Sequence, residues 1–296
     1  MKLARRIFFS ALSVILIFFI SAFVFSPLPG YVPILMYHYV YPKANIGPES
    51  SSLNVSIEAF EKQMWFLKTF GYRTISMDEY YEIKTGKRKP RGKEVLITFD
   101  DGHRTYLTKA MPILERYQLK STGFLVWRLL LKGGTDYINL NEVKNLSRNP
   151  LIDFQSHTMT HPNLTKVSLS RAKDEIFQSK EYLEKALGKE IKYFCYPEGS
   201  FNPDTAQLVQ EAGYKMAFRT SLKYYKSYPE IPFAVVRIKI SPKYNLFVFW
   251  LSVSGLAYYA KQIGNFYVYA KRAGIQLTLN FPNGKLNTYK PQYGTT

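Results

Sequence analysis

The sequence is poor in cysteine and in acidic residues. Its single cysteine, Cys195, excludes a disulfide within the chain, so cysteine usage does not reveal the compartment. The 22 Asp and Glu stand against 40 Lys and Arg, and the formal net charge of +18 favours phospholipid headgroups, anionic cell-wall polymers or nucleic acid as surroundings. Charge alone does not choose among them. Hydrophobic residues make up 46% of the 296 positions, which argues against disorder and fits one large globular domain, alone or with appendages.

Only one uncharged apolar run is long enough to span a membrane. Residues 7–25 carry no charge and follow Lys2, Arg5 and Arg6. As a helix this run would extend about 28 Å at about 1.5 Å per residue, close to the hydrocarbon thickness of a bilayer. We therefore predict that residues 1–30 are an uncleaved membrane anchor and linker, with the amino terminus in the cytoplasm. The alternative is a cleaved signal peptide, whose apolar region usually has only about 7–15 residues, and in both cases the remainder is exported.

Short apolar segments alternate with amphipathic ones through residues 31–255. This alternation indicates a mainly parallel sheet, either open or closed into a barrel. The predicted strands are residues 32–38, 95–99, 123–131, 151–154, 191–196, 215–219 and 234–240. Helices are predicted after Ser56 and over residues 109–119, 168–187 and 203–212. The buried side of the third helix is predicted to carry Ala172, Ile176, Tyr182, Leu183 and Leu187.

Residues 256–296 form a basic, aromatic carboxyl-terminal extension. Residues 258–272 mix five tyrosine and phenylalanine residues with lysine and arginine. Such a stretch could lie at a membrane interface or bind nucleic acid by stacking and phosphate contacts. A peripheral helix of the domain is the interpretation we favour for its first part.

Two polar motifs follow predicted strands. Asp100 and Asp101 come directly after residues 95–99, and an Asp-Gly turn would explain them if they stood alone. His157 and His161, two of only four histidines, have the spacing of one helical turn, so both imidazoles could reach one ion. Because ligands bind at the carboxyl edge of parallel strands, we expect the two motifs to lie together. Two histidines and one carboxylate suit Zn²⁺ or another divalent ion, and the second carboxylate could accept a proton from an activated water, which indicates a hydrolase.

These motifs resemble those of the polysaccharide deacetylase family, carbohydrate esterase family 4, also called the NodB homology domain. Residues 98–102, Thr-Phe-Asp-Asp-Gly, are similar to its first signature, and residues 157–161, His-Thr-Met-Thr-His, to its second. Residues 194–199 occupy the place of the third, more weakly. Residues 34–38, Ile-Leu-Met-Tyr-His, resemble the corresponding segment in the branch of the family that acts on poly-N-acetylglucosamine. The resemblance extends over residues 33–255.

The resemblance implies a distorted (β/α) barrel with its site at the carboxyl ends of the strands. It makes Asp100 the general base and gives a divalent ion, with Zn²⁺ expected, three ligands: Asp101, His157 and His161. The implied substrate is an N-acetylated polysaccharide, from which water releases acetate and leaves a free amine. A backbone N–H near Glu198 would stabilise the oxyanion. The residues implied in substrate binding are His38, Tyr196, Pro197 and Glu198.

The chain departs from the family pattern in its third motif. Cys195 stands where the motif often begins with an arginine that orients the base. Arg237 is a candidate substitute, and an exposed surface arginine is the equal alternative. Glu198 replaces a tyrosine and would add negative charge to the groove.

The general acid is the most serious departure. Residues 275–281 lack the histidine that usually has this role, and no histidine follows His161. His103 and His38 are the candidates to replace it, since both follow strand ends. Loss of an acid would reduce the rate by about 10²- to 10⁴-fold. The prediction is thus a membrane-anchored or exported deacetylase that contacts no nucleic acid. The alternatives are a catalytically weak relative that binds metal and glycan, or a basic membrane- or nucleic-acid-binding protein.

Overall fold

The computed structural model describes residues 30–42, 52–220 and 232–256. The predicted anchor over residues 7–25 and, apart from Leu256, the predicted extension lie outside these ranges, so both stay predictions. Within the described ranges no helix combines the length and the apolarity needed to cross a bilayer.

The strands at the centre of the domain are parallel. This holds for every pairing between named strands in the described residues. The strands are β1 (Ile34–Tyr37), β2 (Tyr39–Tyr41), β3 (Asn54–Ser56), β4 (Arg73–Thr74), β5 (Glu94–Phe99), β6 (Ser121–Leu125), β7 (Ile152–Ser156), β8 (Tyr193–Cys195), β9 (Met216–Thr220) and β10 (Val235–Lys239).

The larger sheet closes into a barrel. Its order runs from β1 through β10, β9, β8, β7 and β6 to β5, which pairs with β1 again. Leu35 in β1 therefore lies between Ile97 of β5 and Ile238 of β10. The short β4 pairs with the start of β5, and β2 pairs with β3 alone. This closure confirms the predicted (β/α) barrel and decides against the open sheet.

Helices alternate with the strands along the chain and connect most of them. They are α1 (Ile57–Thr69), α2 (Met77–Lys84), α3 (Met111–Tyr117), α4 (Trp127–Lys132), α5 (Leu140–Leu146), α6 (Leu169–Leu187), α7 (Pro203–Glu211) and α8 (Leu246–Val253). A π-helical turn (Tyr106–Ala110) leads into α3, and a 3₁₀ turn (Pro197–Gly199) precedes α7. The predicted cap of α1 is present, because the Ser56 hydroxyl accepts the N–H of Ala59 at 3.1 Å.

Alternate strand positions fill the barrel interior. Its apolar layer contains Ile34, Leu96, Phe124, Tyr193, Met216, Phe218 and Val235. Towards the carboxyl rim, the inward-facing positions of the same strands carry polar side chains, among them Thr98 and Arg237. The Arg237 guanidinium lies 5.2 Å from the centre of the Phe124 ring, where the apolar layer ends and the polar layer begins.

Two sequence predictions about the elements are wrong. The apolar run over residues 123–131 is not one strand, because β6 ends at Leu125 and α4 begins at Trp127. Apolarity does not distinguish a buried strand from a short buried helix. Tyr182 is 38% exposed and is not on the buried side of α6. The sequence prediction also lacked α2 and α5, which are short and begin with capping boxes at Ser76 and Asn139.

Candidate active site

Three side chains from two strand ends meet at the carboxyl rim of the barrel. Asp101 follows β5, whereas His157 and His161 follow β7. Oδ1 of Asp101 lies 3.5 Å from Nε2 of His157 and 3.4 Å from Nε2 of His161. The structure thus brings together the three residues predicted as metal ligands.

The spacing of these atoms fits a tetrahedral cation. With bonds of about 2.0–2.1 Å, two ligand atoms of a tetrahedral Zn²⁺ stand about 3.3 Å apart. Oδ1 of Asp101 is buried and has no hydrogen-bond partner among the described residues. A buried carboxylate oxygen without a donor is unfavourable unless a cation compensates it. The site therefore has the donor set, the spacing and the unsatisfied charge that a divalent ion requires.

His157 is prepared as a neutral ligand. Its Nδ1 lies 2.7 Å from the backbone carbonyl oxygen of Cys195. Because a carbonyl can only accept, Nδ1 carries the proton and the lone pair of Nε2 points to Asp101. Burial lowers the pKa of His157 to about 4, so the ring is uncharged at neutral pH.

Asp100 lies beside the ligand set and is held by Arg237. Its Oδ1 accepts a hydrogen bond from Nη1 of Arg237 at 2.7 Å, and its Oδ2 accepts one from Nη2 at 2.6 Å. Burial alone raises the pKa of Asp100, but the charge and hydrogen bonds of Arg237 outweigh burial and hold that pKa well below its usual range. Arg237 is 0% exposed, so the alternative of an exposed surface arginine is wrong. Its role in orienting the base stays a prediction.

Cys195 contacts the same ion pair. Nη2 of Arg237 donates to its Sγ at 2.9 Å, and Sγ lies 3.8 Å from Oδ2 of Asp100. Burial raises the pKa of the thiol well above its usual range, so Cys195 stays neutral. The position expected for an arginine on β8 thus holds a small neutral side chain, and the guanidinium enters from β10 instead.

The two candidate acids have different surroundings. Nε2 of His38 lies 3.8 Å from Oδ2 of Asp100, and His38 is only partly buried. Burial lowers the pKa of His38, and the carboxylates of Asp100 and Asp101 oppose that shift in part. His38 is therefore next to the expected base and within reach of solvent.

His103 is buried and bound within the protein through both ring nitrogens. Its Nδ1 accepts the N–H of Thr105 at 3.1 Å, so the proton lies on Nε2, 3.0 Å from the hydroxyl of Tyr41. The ring also packs edge-on against Tyr39 with centroids 4.7 Å apart. This environment disfavours His103 as a proton donor to substrate, although its assignment stays a prediction.

The residues expected in the sugar groove are only partly at the surface. Tyr196 is buried, and its hydroxyl donates to the carbonyl of Phe233 at 2.9 Å. Pro197 is also buried, so the protein covers both side chains, and their part in substrate binding stays a prediction. Glu198 is exposed, has a positive φ of 57° and accepts the amide of Asn163 at 2.7 Å. Its part in substrate binding stays a prediction.

Sequence reasoning missed one residue that contacts the histidine loop. Glu175 on α6 accepts the backbone N–H of Thr160, between the two histidines, at 2.7 Å. The helical periodicity of the sequence could have indicated it. The face of α6 that buries Ala172, Ile176 and Leu183 also includes position 175, and an acidic residue on a buried face needs a specific partner.

Comparisons with known proteins agree with this geometry. Residues 87–217 match the sequence model of the family described as polysaccharide deacetylase. YxkH of Bacillus subtilis is 29% identical over 222 residues, which cover 75% of this chain and 76% of that protein. A poly-beta-1,6-N-acetyl-D-glucosamine N-deacetylase of Staphylococcus aureus is 29% identical over 181 residues, 57% of this chain and 62% of the relative. The chain thus spans less than two thirds of that enzyme.

Solved structures share the fold. The Streptococcus pyogenes deacetylase PplD, solved in complex with acetate, superposes with a TM-score of 0.69 at 28% identity, covering 76% of this chain and 99% of that one. A polysaccharide deacetylase from Bacillus cereus superposes with a TM-score of 0.64 at 26% identity, covering 75% of this chain and 68% of that one.

Proposed function

Because residues 87–217 match the polysaccharide deacetylase family, we propose that the chain is a metal-dependent hydrolase that removes N-acetyl groups from an N-acetylglucosamine-containing polysaccharide. One observation carries this proposal: the unsatisfied Asp101 oxygen with two imidazole nitrogens around it, beside a second carboxylate held by arginine. The name of the Staphylococcus aureus relative supports poly-N-acetylglucosamine as the glycan.

The metal would be held by Asp101, His157 and His161, and we propose Zn²⁺ because of their donor atoms. When bound, such an ion polarises a carbonyl and lowers the pKa of a water molecule from about 16 towards about 7. The remaining chemistry belongs to the side chains of this chain.

Asp100 has the role of general base. Hydrolysis forms a bond between the water oxygen and the acetyl carbon and breaks the bond from that carbon to nitrogen. Arg237 keeps Asp100 ionised and fixes both of its oxygens, so that the carboxylate can accept the proton that water loses. The leaving nitrogen must gain a proton, and His38 is the histidine beside Asp100 that remains partly accessible.

The cell envelope is the proposed location. It rests on the uncharged run at residues 7–25, the basic residues before it and the net charge of +18, which suits anionic polymers or headgroups. Fractionation of cells that carry the full chain, followed by protease treatment of intact cells, tests both the anchor and the side on which the domain lies.

Acetate release from oligomers of poly-N-acetylglucosamine, chitin and peptidoglycan, with chelator and with added zinc, tests the activity. We expect Asp101→Asn to lose both metal and activity, and Asp100→Asn to keep metal but lose activity. Full activity in both variants would contradict the assignment of Asp100 and Asp101 to the active site. Binding of metal and glycan without acetate release would instead support the second candidate, a catalytically weak relative, which the lack of any histidine after His161 favours.

A further inference from the structure

The loop that carries the two histidine ligands has an unfavourable backbone. Thr158 has a φ of 72° and His161 a φ of 64°. Side chains rarely adopt this left-handed region, and a β-branched threonine is particularly unfavourable there. Such conformations persist only where the surroundings impose them. The loop over residues 157–161 therefore needs contacts that hold it in place.

Part of that support comes from the backbone. The N–H groups of Trp127 and Arg128, at the start of α4, donate to the carbonyls of Thr158 and Met159 at 3.1 and 2.9 Å. Within the loop, the Thr158 hydroxyl accepts the N–H of His161 at 3.0 Å. These bonds fix one side of the loop and leave Thr160, in its middle, to be held from α6.

Glu175 supplies this second hold. Its Oε2 accepts the N–H of Thr160 at 2.7 Å, and its Oε1 accepts the Thr160 hydroxyl. The side chain is buried, with 4% of the residue exposed, and it forms an ion pair with Nη2 of the exposed Arg171 at 3.7 Å. Burying a carboxylate is costly, and both oxygens of this one are directed at a single residue of the ligand loop.

We propose that Glu175 is a positioning residue for the metal site. Through Thr160 it holds the loop in the conformation that points both imidazoles at Asp101. This inference rests on the proposed metal site and adds a residue outside the family motifs. It predicts that the loop loses its alignment when the carboxylate is removed, while the barrel stays folded.

The test measures metal affinity by titrating metal-free protein with Zn²⁺ against a chromophoric chelator. We expect Glu175→Ala to weaken zinc binding by about 10- to 100-fold, the range typical of residues that support metal ligands. Glu175→Gln should stay within about threefold of wild type, because its carbonyl can accept the Thr160 N–H and its amide can donate to the hydroxyl. Asp174→Ala is the matched control, since it removes an exposed carboxylate from the neighbouring position of the same helix.

A second readout needs no metal. Hydrogen exchange of the Thr160 amide in metal-free protein should become faster in Glu175→Ala than in Asp174→Ala. A lower melting temperature with zinc affinity equal to that of Asp174→Ala would overturn the proposal, since it would show a purely structural role. If Glu175→Ala does not fold, Thr160→Val decides: it should weaken zinc binding about 3- to 10-fold, and unchanged affinity would overturn the proposal. Absence of zinc binding in the wild-type protein would instead refute the proposed function itself.

Discussion

Arg237 and Asp100 form a buried ion pair whose two members depend on each other. The paired nitrogens of a guanidinium match the two oxygens of a carboxylate, which a lysine ammonium cannot do. Removing the arginine altogether would leave Asp100 as an uncompensated buried charge, at a cost of about 3–5 kcal/mol. The conservative lysine variant is therefore the informative one.

We predict that Arg237→Lys folds, binds zinc with an affinity within about threefold of wild type, and loses about 10- to 100-fold in kcat. The charge remains, but one of the two fixed hydrogen bonds to Asp100 is lost. Acetate release gives kcat, and a zinc titration gives the affinity. Arg219→Lys is the control, because Arg219 is also buried, lies on β9 and bonds the carbonyl of Ala234 at 2.9 Å. An unchanged kcat in Arg237→Lys would contradict a role in positioning the base.

The choice between His38 and His103 gives the second prediction. We expect His38→Gln to reduce kcat by about 10²- to 10⁴-fold, the contribution typical of a general acid. His103→Gln should reduce kcat by less than about tenfold and mainly lower the melting temperature, because it disturbs buried hydrogen bonds worth about 1–3 kcal/mol. The reverse order of effects on kcat would assign the acid to His103.

Residues differ in how far their roles could be predicted. Asp101, His157 and His161 could be placed together from sequence because parallel strands align their carboxyl ends on one rim. Arg237 could be proposed but not located, since an arginine in a strand of alternating residues can face either side. Glu175 could not be found by motif, because one of its two hydrogen-bond partners is a backbone N–H, which any residue other than proline at position 160 supplies.

At the scale of elements, the turn after β8 shows how tightly the rim is packed. Gly199 has a φ of 67°, and a Cβ there would lie 2.5 Å from Oγ1 and 2.6 Å from the backbone nitrogen of Thr220. Gly188, which ends α6, has a similar φ of 63°, but a Cβ at that position would have no neighbour within 4 Å among the described residues. The two glycines share one backbone conformation and differ in their surroundings.

We predict that Gly188→Ala costs about 1–2 kcal/mol, the strain of a left-handed alanine, whereas Gly199→Ala costs about 1–3 kcal/mol more because of overpacking. Gly199→Ala should also lower kcat, since it displaces the turn that carries Glu198. Urea unfolding measures both free energies. Equal destabilisation by the two substitutions would show that the turn can move away from Thr220 without cost.

Element boundaries were less predictable than element types. The strands β1, β5, β7 and β9 lie within two residues of their expected positions, because each is a short apolar run between polar breaks. The change from strand to helix at Val126 leaves no such break, since the residues on both sides are apolar. There the tertiary contact of α4 with the histidine loop sets the boundary.

At the scale of the whole molecule, the amino-terminal rim of the barrel is held by charge. Glu94, at the start of β5, is 1% exposed and accepts Nη1 of Arg88 at 2.9 Å, the N–H of Arg91 at 3.1 Å and a nitrogen of Arg73. Burial raises the pKa of Glu94, but these hydrogen bonds and charges outweigh burial and lower it. A lowered folded-state pKa stabilises the fold above the unfolded value of about 4.3, and that contribution is lost as pH falls through the folded pKa.

We predict that the wild-type protein loses stability below about pH 4–5, and that Glu94→Gln is less stable at pH 7 by about 1–3 kcal/mol and less sensitive to acid. Urea unfolding at pH 7 and at pH 3.5 measures both effects. Glu181→Gln, an exposed position on α6, is the control. A constant difference between Glu94→Gln and wild type at the two pH values would show that Glu94 does not supply the acid sensitivity.

Metal binding should couple the two motifs to the stability of the whole barrel. The apolar interior is complete without any ion, so the protein treated with chelator should remain folded. An ion that binds only the folded state stabilises it by mass action, by about 2.7 kcal/mol at a free concentration 100 times Kd. For a domain of this size that corresponds to a rise in Tm of about 5–10 °C. Asp101→Asn should abolish the rise, whereas Asp136→Asn, at an exposed position, should keep it. Thermal melts over a series of zinc concentrations provide the measurement, and an equal rise in Asp101→Asn would place the bound zinc elsewhere in the chain.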